Sequence, residues 1–219
     1  MTLTERLREA AEPVWNKALT HPFVTKLGNG TLPLVNFRFY MCQDYIFLIE
    51  YSRVLALATA KSMDLETMER FASLLDATLN REMGLHRDFA AQCNISASEL
   101  TGTKAAPTTY AYTRHLLQVA ALGNLAEIMS ALLPCQWGYC EIGQALASQG
   151  NSVDVPFYTQ WIEMYASPAF AALVSWVRST LDTLEETSNE ARLTEIFCTS
   201  ARYEYLFWEM AYTLEQWPL

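Results

Sequence analysis

The sequence predicts a single all-α domain, and three observations carry that expectation. Only 8 Gly and 8 Pro punctuate 219 residues, too few turns for an all-β chain. Apolar residues recur at helical spacing over long stretches. No strand-like alternation is long enough to define a sheet, and there is no internal repeat. With 51% hydrophobic and 18% charged residues, the chain has the apolar material for a sizeable core.

The elements follow in order. Leu7, Ala10, Ala11, Val14 and Ala18 predict a helix over 4–20, with Thr4 as its cap and Pro22 as its stop. Gly28-Asn29-Gly30 and Pro33 mark a turn. A second helix spans Leu34 to Lys61 and is apolar around much of its circumference, as a central buried helix is. Asp64 caps a third helix within Met63–Cys93. Asn94–Pro107 is a polar connection with a short turn at Ser98. Thr108 or Thr109 caps a fourth helix running to Leu133, Pro134 interrupts it, and the pattern resumes over Cys135–Ser148. Gly150-Asn151-Ser152 is a loop. Helices over Val155–Tyr165, Pro168–Leu184 and Glu190–Tyr212 complete the chain.

Composition excludes several functions. With 15 Lys and Arg against 24 Asp and Glu, the net charge is −9, and such a surface repels phosphate backbones and anionic lipid. The longest apolar region, Leu116–Pro134, is interrupted by Gln118, Asn124 and Glu127, which marks a buried helix rather than a membrane span. The five cysteines form no C-x-x-C, and the charged N-terminus carries no apolar signal core, so a reducing cytoplasm is the expected compartment. Phosphate-binding glycine loops and the G-x-S-x-G elbow are absent.

Four constellations remain as candidate chemistry. On the second helix Asp44, Phe47 and Tyr51 stand at i, i+3 and i+7 and share a face. A carboxylate there is either a core Asp satisfied by Tyr or Arg, or a ligand-binding Asp. In Pro134-Cys135-Gln136-Trp137-Gly138-Tyr139 the proline bends its helix and directs Cys135 and Tyr139 the same way. Cys135 is then either a nucleophile beside a base or inert packing. Glu204 shares a face with Phe207, Trp208 and Ala211, and is either a general acid/base tuned by desolvation or an interface Glu paired to Arg. Glu82 and His86 at i and i+4 are half a metal site, or an acid that orients a histidine. The other two histidines, His21 and His115, are scattered, so a histidine-rich metal site is poorly supported.

Taken together, these pieces resemble the TenA-type thiaminase II, or aminopyrimidine aminohydrolase, family. The resemblance begins at His21-Pro22-Phe23-Val24 and passes through Gly30-Thr31-Leu32, Tyr40, Gln43-Asp44-Tyr45 and Glu82-x-x-x-His86. It continues with Pro134-Cys135, Tyr139 and Tyr158-x-x-Trp161-Ile162-x-x-Tyr165, and ends at Tyr203-Glu204-Tyr205-Leu206-Phe207-Trp208. Each piece is weak alone, but the ordered set is specific. It implies a haem-oxygenase-like helical bundle, assembled as a homotetramer, that needs no metal or organic cofactor.

The resemblance also implies roles. Cys135 is the nucleophile, Glu204 the acid/base near the leaving group, and Asp44 the carboxylate that holds the aminopyrimidine edge. Tyr112, Tyr139 and Tyr165 match tyrosines that hydrogen-bond or line the ring, and Phe47 and Phe207 match apolar walls. Tyr51 and His86 join the substrate-binding set. Family members often carry Tyr where Phe47 stands, so one hydroxyl is missing here. The substrate implied is an aminopyrimidine or thiamin. Two alternatives stand beside this: an oxygenase of the same fold, which the scattered histidines match poorly, and a non-catalytic pyrimidine-binding or regulatory member.

Overall fold

The N-terminal stretch expected as one helix is two. In the computed structural model, α1 (Leu3–Ala10) and α2 (Glu12–Leu19) part at Ala11, because Pro13 enters within the first turn of α2, where its missing N–H is harmless. Thr2, not Thr4, is the cap: its hydroxyl accepts from the Glu5 N–H, and the Glu5 carboxylate accepts from the Thr2 N–H at 2.9 Å. Thr4 is buried, and its N–H and hydroxyl donate to the Asp182 carboxylate at 2.8 and 3.2 Å. Pro22 both ends one helix and opens α3 (Pro22–Gly28), which the sequence reading missed.

The structure describes residues 1–149, 155–184 and 189–218, so the expected loop at Gly150-Asn151-Ser152 lies outside the described residues. Within them every regular element is helical. α4 runs Leu34–Lys61 as expected. The expected third helix is α5 (Leu65–Ala77), capped by Asp64, and α6 (Met83–Gln92), joined by a π-helical turn over Thr78–Glu82. α7 (Ala97–Gly102) is the turn expected near Ser98.

α8 (Pro107–Leu122) starts one residue before the threonines expected to cap it. The Thr108 N–H and hydroxyl instead donate to Glu215, at 2.9 and 3.2 Å. The expected break at Pro134 falls earlier. Asn124 and Glu127 exchange side-chain-to-backbone hydrogen bonds at 3.1 and 3.0 Å, starting α9 (Leu125–Ser148), and Pro134 lies inside that helix. A proline removes one ladder bond and bends a helix without having to end it. α10 (Pro156–Ala166), α11 (Pro168–Thr183) and α12 (Glu190–Thr213) start within a residue of expectation.

These helices form two compact units. In residues 33–128 and 213–219, α4 is the central element, with α5, α6 and α8 packed along it. Phe37, Tyr40, Met41, Val54 and Leu55 of α4 are buried there. Residues 1–32 and 129–212 form an aromatic core in which Trp15 stacks on Phe197 at 5.7 Å and Phe23 on Trp208 at 5.2 Å. No helix among the described residues is long and apolar enough to cross a membrane.

Candidate active site

In the α4-centred unit, Asp44 is buried and shares its carboxylate with His86 of α6: Asp44 Oδ2 lies 2.5 Å from His86 Nε2. The Tyr40 hydroxyl, one turn earlier on α4, donates to the same oxygen at 3.4 Å. The other ring nitrogen of His86, Nδ1, lies 3.1 Å from the backbone carbonyl of Glu82. Glu82 therefore orients the histidine through its main chain. Among the described residues no group of three or more His, Cys, Asp and Glu is arranged to hold a metal ion.

The Glu82 side chain belongs to the same cluster. Burial pushes its carboxyl up from 4.5 to about 7; His86 pulls the other way and the Asp44 charge adds to the rise. Burial alone would lower His86, but the hydrogen bond and charge of Asp44, with the charge of Glu82, raise it above the ordinary histidine value.

Phe47 and Tyr51 continue the Asp44 face of α4, with ring centroids 5.9 Å apart. Tyr112 of α8 joins them, 5.2 Å from Phe47. Five expected residues, Asp44, Phe47, Tyr51, His86 and Tyr112, are thus gathered in one aromatic and carboxylate environment, all of them buried. Gln43, next to Asp44, has a structural task. Its amide donates to the Lys104 carbonyl at 3.1 Å and accepts from the Ala106 N–H at 2.9 Å, tying down the entry to α8.

In the other unit, Cys135 is half-buried on α9 directly after Pro134. Tyr139, one turn on, meets Tyr165 of α10 at 4.7 Å and Trp208 of α12 at 5.0 Å. Tyr165 also meets Trp161 at 4.7 Å. Glu204, 7% exposed, lines a small cavity together with Pro134, Gly138, Tyr139 and Trp208. Phe207 is buried on the same helix. Burial pushes the thiols of Cys42, Cys93, Cys140 and Cys198 up, so those four are poorly disposed to form a thiolate.

Sequence reasoning missed the π turn and the carbonyl it offers to His86. It named Tyr40 without giving it a role, although Tyr40 and Asp44 stand four apart on one helix and so face the same way.

The class defined by this architecture is that of the haem-oxygenase-like helical folds. A domain of Shewanella denitrificans described as having a heme oxygenase-like fold superposes with a TM-score of 0.73 at 15% identity, over 98% of this chain and 93% of that one. Within that class, residues 8–214 match the TENA/THI-4/PQQC family, and the chain belongs to it. The TenA homologue protein of P. horikoshii OT3 superposes with a TM-score of 0.92 at 31% identity, over 97% of this chain and 99% of that one. The aminopyrimidine aminohydrolase of Halalkalibacterium halodurans is 44% identical over 99% of this chain and 98% of its own length.

Proposed function

We propose that this protein is an aminopyrimidine aminohydrolase. It converts 4-amino-5-aminomethyl-2-methylpyrimidine to the hydroxymethylpyrimidine, and/or cleaves thiamin by the same chemistry, in thiamin salvage. The observation that carries this reading is the 44% identity, over nearly the full length of both chains, to a protein of that name. The residues fit it. Asp44 is a buried carboxylate among aromatics, suited to the donor edge of a flat, protonated aminopyrimidine. Glu204 and Tyr139 share one cavity.

In this reading the Cys135 thiolate adds to a carbon of the protonated ring, and the leaving group departs from the exocyclic methylene. Glu204 protonates the departing amine, then takes a proton from the water that adds to that methylene. Loss of the thiolate restores the aromatic ring. Tyr112, Tyr139 and Tyr165 with Phe47, Tyr51 and Phe207 are the ring-lining set. The chain acts as one domain over 1–219, as a cytoplasmic homotetramer; the family match over residues 8–214 supports the single domain, and the free thiols suit a reducing compartment.

The test is steady-state formation of hydroxymethylpyrimidine by chelator-treated protein from the aminomethyl pyrimidine and from thiamin. Cys135→Ser removes turnover while the circular dichroism spectrum stays unchanged. Wild-type rates in that variant reject Cys135 as the nucleophile. Binding without turnover of either compound moves the protein to the non-catalytic reading.

A further inference from the structure

We propose that His86 is held as an imidazolium whose task is to keep Asp44 ionised and aimed, making it a positioning residue rather than a substrate contact. The inference about substrate rests on the aminopyrimidine reading above; the inference about the pair does not.

The geometry is the argument. One ring nitrogen of His86 faces a backbone carbonyl and the other a carboxyl oxygen. A carbonyl only accepts. A neutral imidazole carries one N–H, so with an ionised Asp44 one of the two contacts would set lone pair against lone pair. The imidazolium donates to both. The competing arrangement, a protonated Asp44 donating to a neutral ring, is disfavoured by what else surrounds the pair. The Tyr40 hydroxyl also donates to Oδ2, which favours the ionised oxygen. The groups set against the ring are Asp44 and, from its own helical run, Glu82, both acidic. Burial makes the pair costly, so an unpaired histidine at 2% exposure has no reason to be charged without them.

The consequence falls on one atom. Oδ2 takes both protein donors, from His86 and Tyr40, and among the described residues no donor reaches Oδ1. A neutral acid bonded through Oδ2–H would leave Oδ1 a weak carbonyl. The ion pair leaves it half of a full negative charge, fixed in direction by the ring behind it. That is the acceptor an exocyclic amino group or a protonated ring nitrogen needs. Because His86 is saturated at both nitrogens, it acts on a ligand only through Asp44.

The direct test is long-range proton–nitrogen correlation of the three histidine side chains in the full-length protein from pH 6 to 9, with His86→Gln assigning the signal. The expected result is a His86 ring protonated at both nitrogens at pH 8, and its conversion to a neutral ring at that pH in Asp44→Asn. A neutral His86 ring in the wild type at pH 8 overturns the proposal, and so does an imidazolium that survives Asp44→Asn.

The second test is kinetic. Gln at position 86 retains an N–H for Asp44 and loses the charge. We expect a ten- to hundredfold fall in kcat/KM for the aminomethyl pyrimidine, carried by KM rather than by kcat. An unchanged KM overturns the positioning role. A wild-type protein that hydrolyses nothing rejects the functional reading instead, and the ring measurement still decides the state of the pair.

Discussion

Replacing Glu82 with Gln tests the buried carboxylate cluster through stability alone. Burial lifts the Glu82 carboxyl from 4.5 to about 7 in the folded chain. The folded value is the higher one, so the folded state binds the proton more tightly than the unfolded state does. Stability is therefore greatest below pH 4.5, falls as pH climbs from 4.5 to 7, and is flat above that. At about 1.4 kcal/mol for each pH unit, the gap makes ionised Glu82 cost the fold about 3 kcal/mol. Gln is nearly the same size and cannot ionise. The expected outcome is that Glu82→Gln matches the wild type near pH 4.5 and exceeds it by about 2–3 kcal/mol at pH 8. Urea unfolding at fixed pH between 4.5 and 8.5 reads the difference directly. If the two stability curves run parallel across that range, Glu82 is not held protonated by its surroundings and the description of the cluster fails.

Other perturbations read different parts of the structure. Two glycines of α9 contrast: a Cβ at Gly143 would sit 2.6 Å from the Tyr165 carbonyl carbon and 2.7 Å from the Ala166 nitrogen, whereas one at Gly138 meets nothing within 4 Å. Gly143→Ala should lower stability by about 1–3 kcal/mol and Gly138→Ala should raise it by about 0.5–1 kcal/mol, both read by thermal unfolding. Lys61 Nζ donates to the carbonyls of Ala120, Ala121 and Gly123, at 2.7, 3.0 and 2.6 Å, at the C-terminal end of α8. Lys61→Met should cost about 1–2 kcal/mol in denaturant unfolding, and a neutral result would show those contacts to be solvent-screened. Asp182→Ala strips the acceptor from two Thr4 donors and should cost about 2 kcal/mol, against about 1 kcal/mol for Thr4→Val, which removes only the hydroxyl.

Much of the architecture was legible because apolar spacing reports burial directly. α4 and the starts of α10 to α12 follow from it, and so does the grouping of Asp44, Phe47 and Tyr51 on one face. The misplaced boundaries have local causes. Pro134 is the loudest breaker in its region, yet it lies inside a continuous helix, while the quieter Gly123-Asn124 pair ends one and caps the next. Pro13 splits the first helix because it lies near a new start, and Thr2 outcompetes Thr4 as cap because Glu5 stands three residues after it. The residues of the site were legible as types. The partner that His86 takes was not, since Asp44 is 42 positions away and no local spacing links them.

The π turn explains why. From the buried Phe71 and Thr78, a regular helical period carries the buried face onward through positions 82 and 85. The Met83 N–H instead bonds the Thr78 carbonyl five residues back, which inserts one extra residue and rotates everything after it by about 100° relative to α5. Leu85, the residue that hydrophobicity would bury, is 43% exposed, and His86 is 2% exposed. An apolar side chain has been turned outward so that a histidine faces Asp44. That exchange forfeits the burial of a leucine, about 1.5–3 kcal/mol, and places an ionisable ring in the core. Core stability alone gives no reason for either change, and the positioning role proposed above for His86 supplies one.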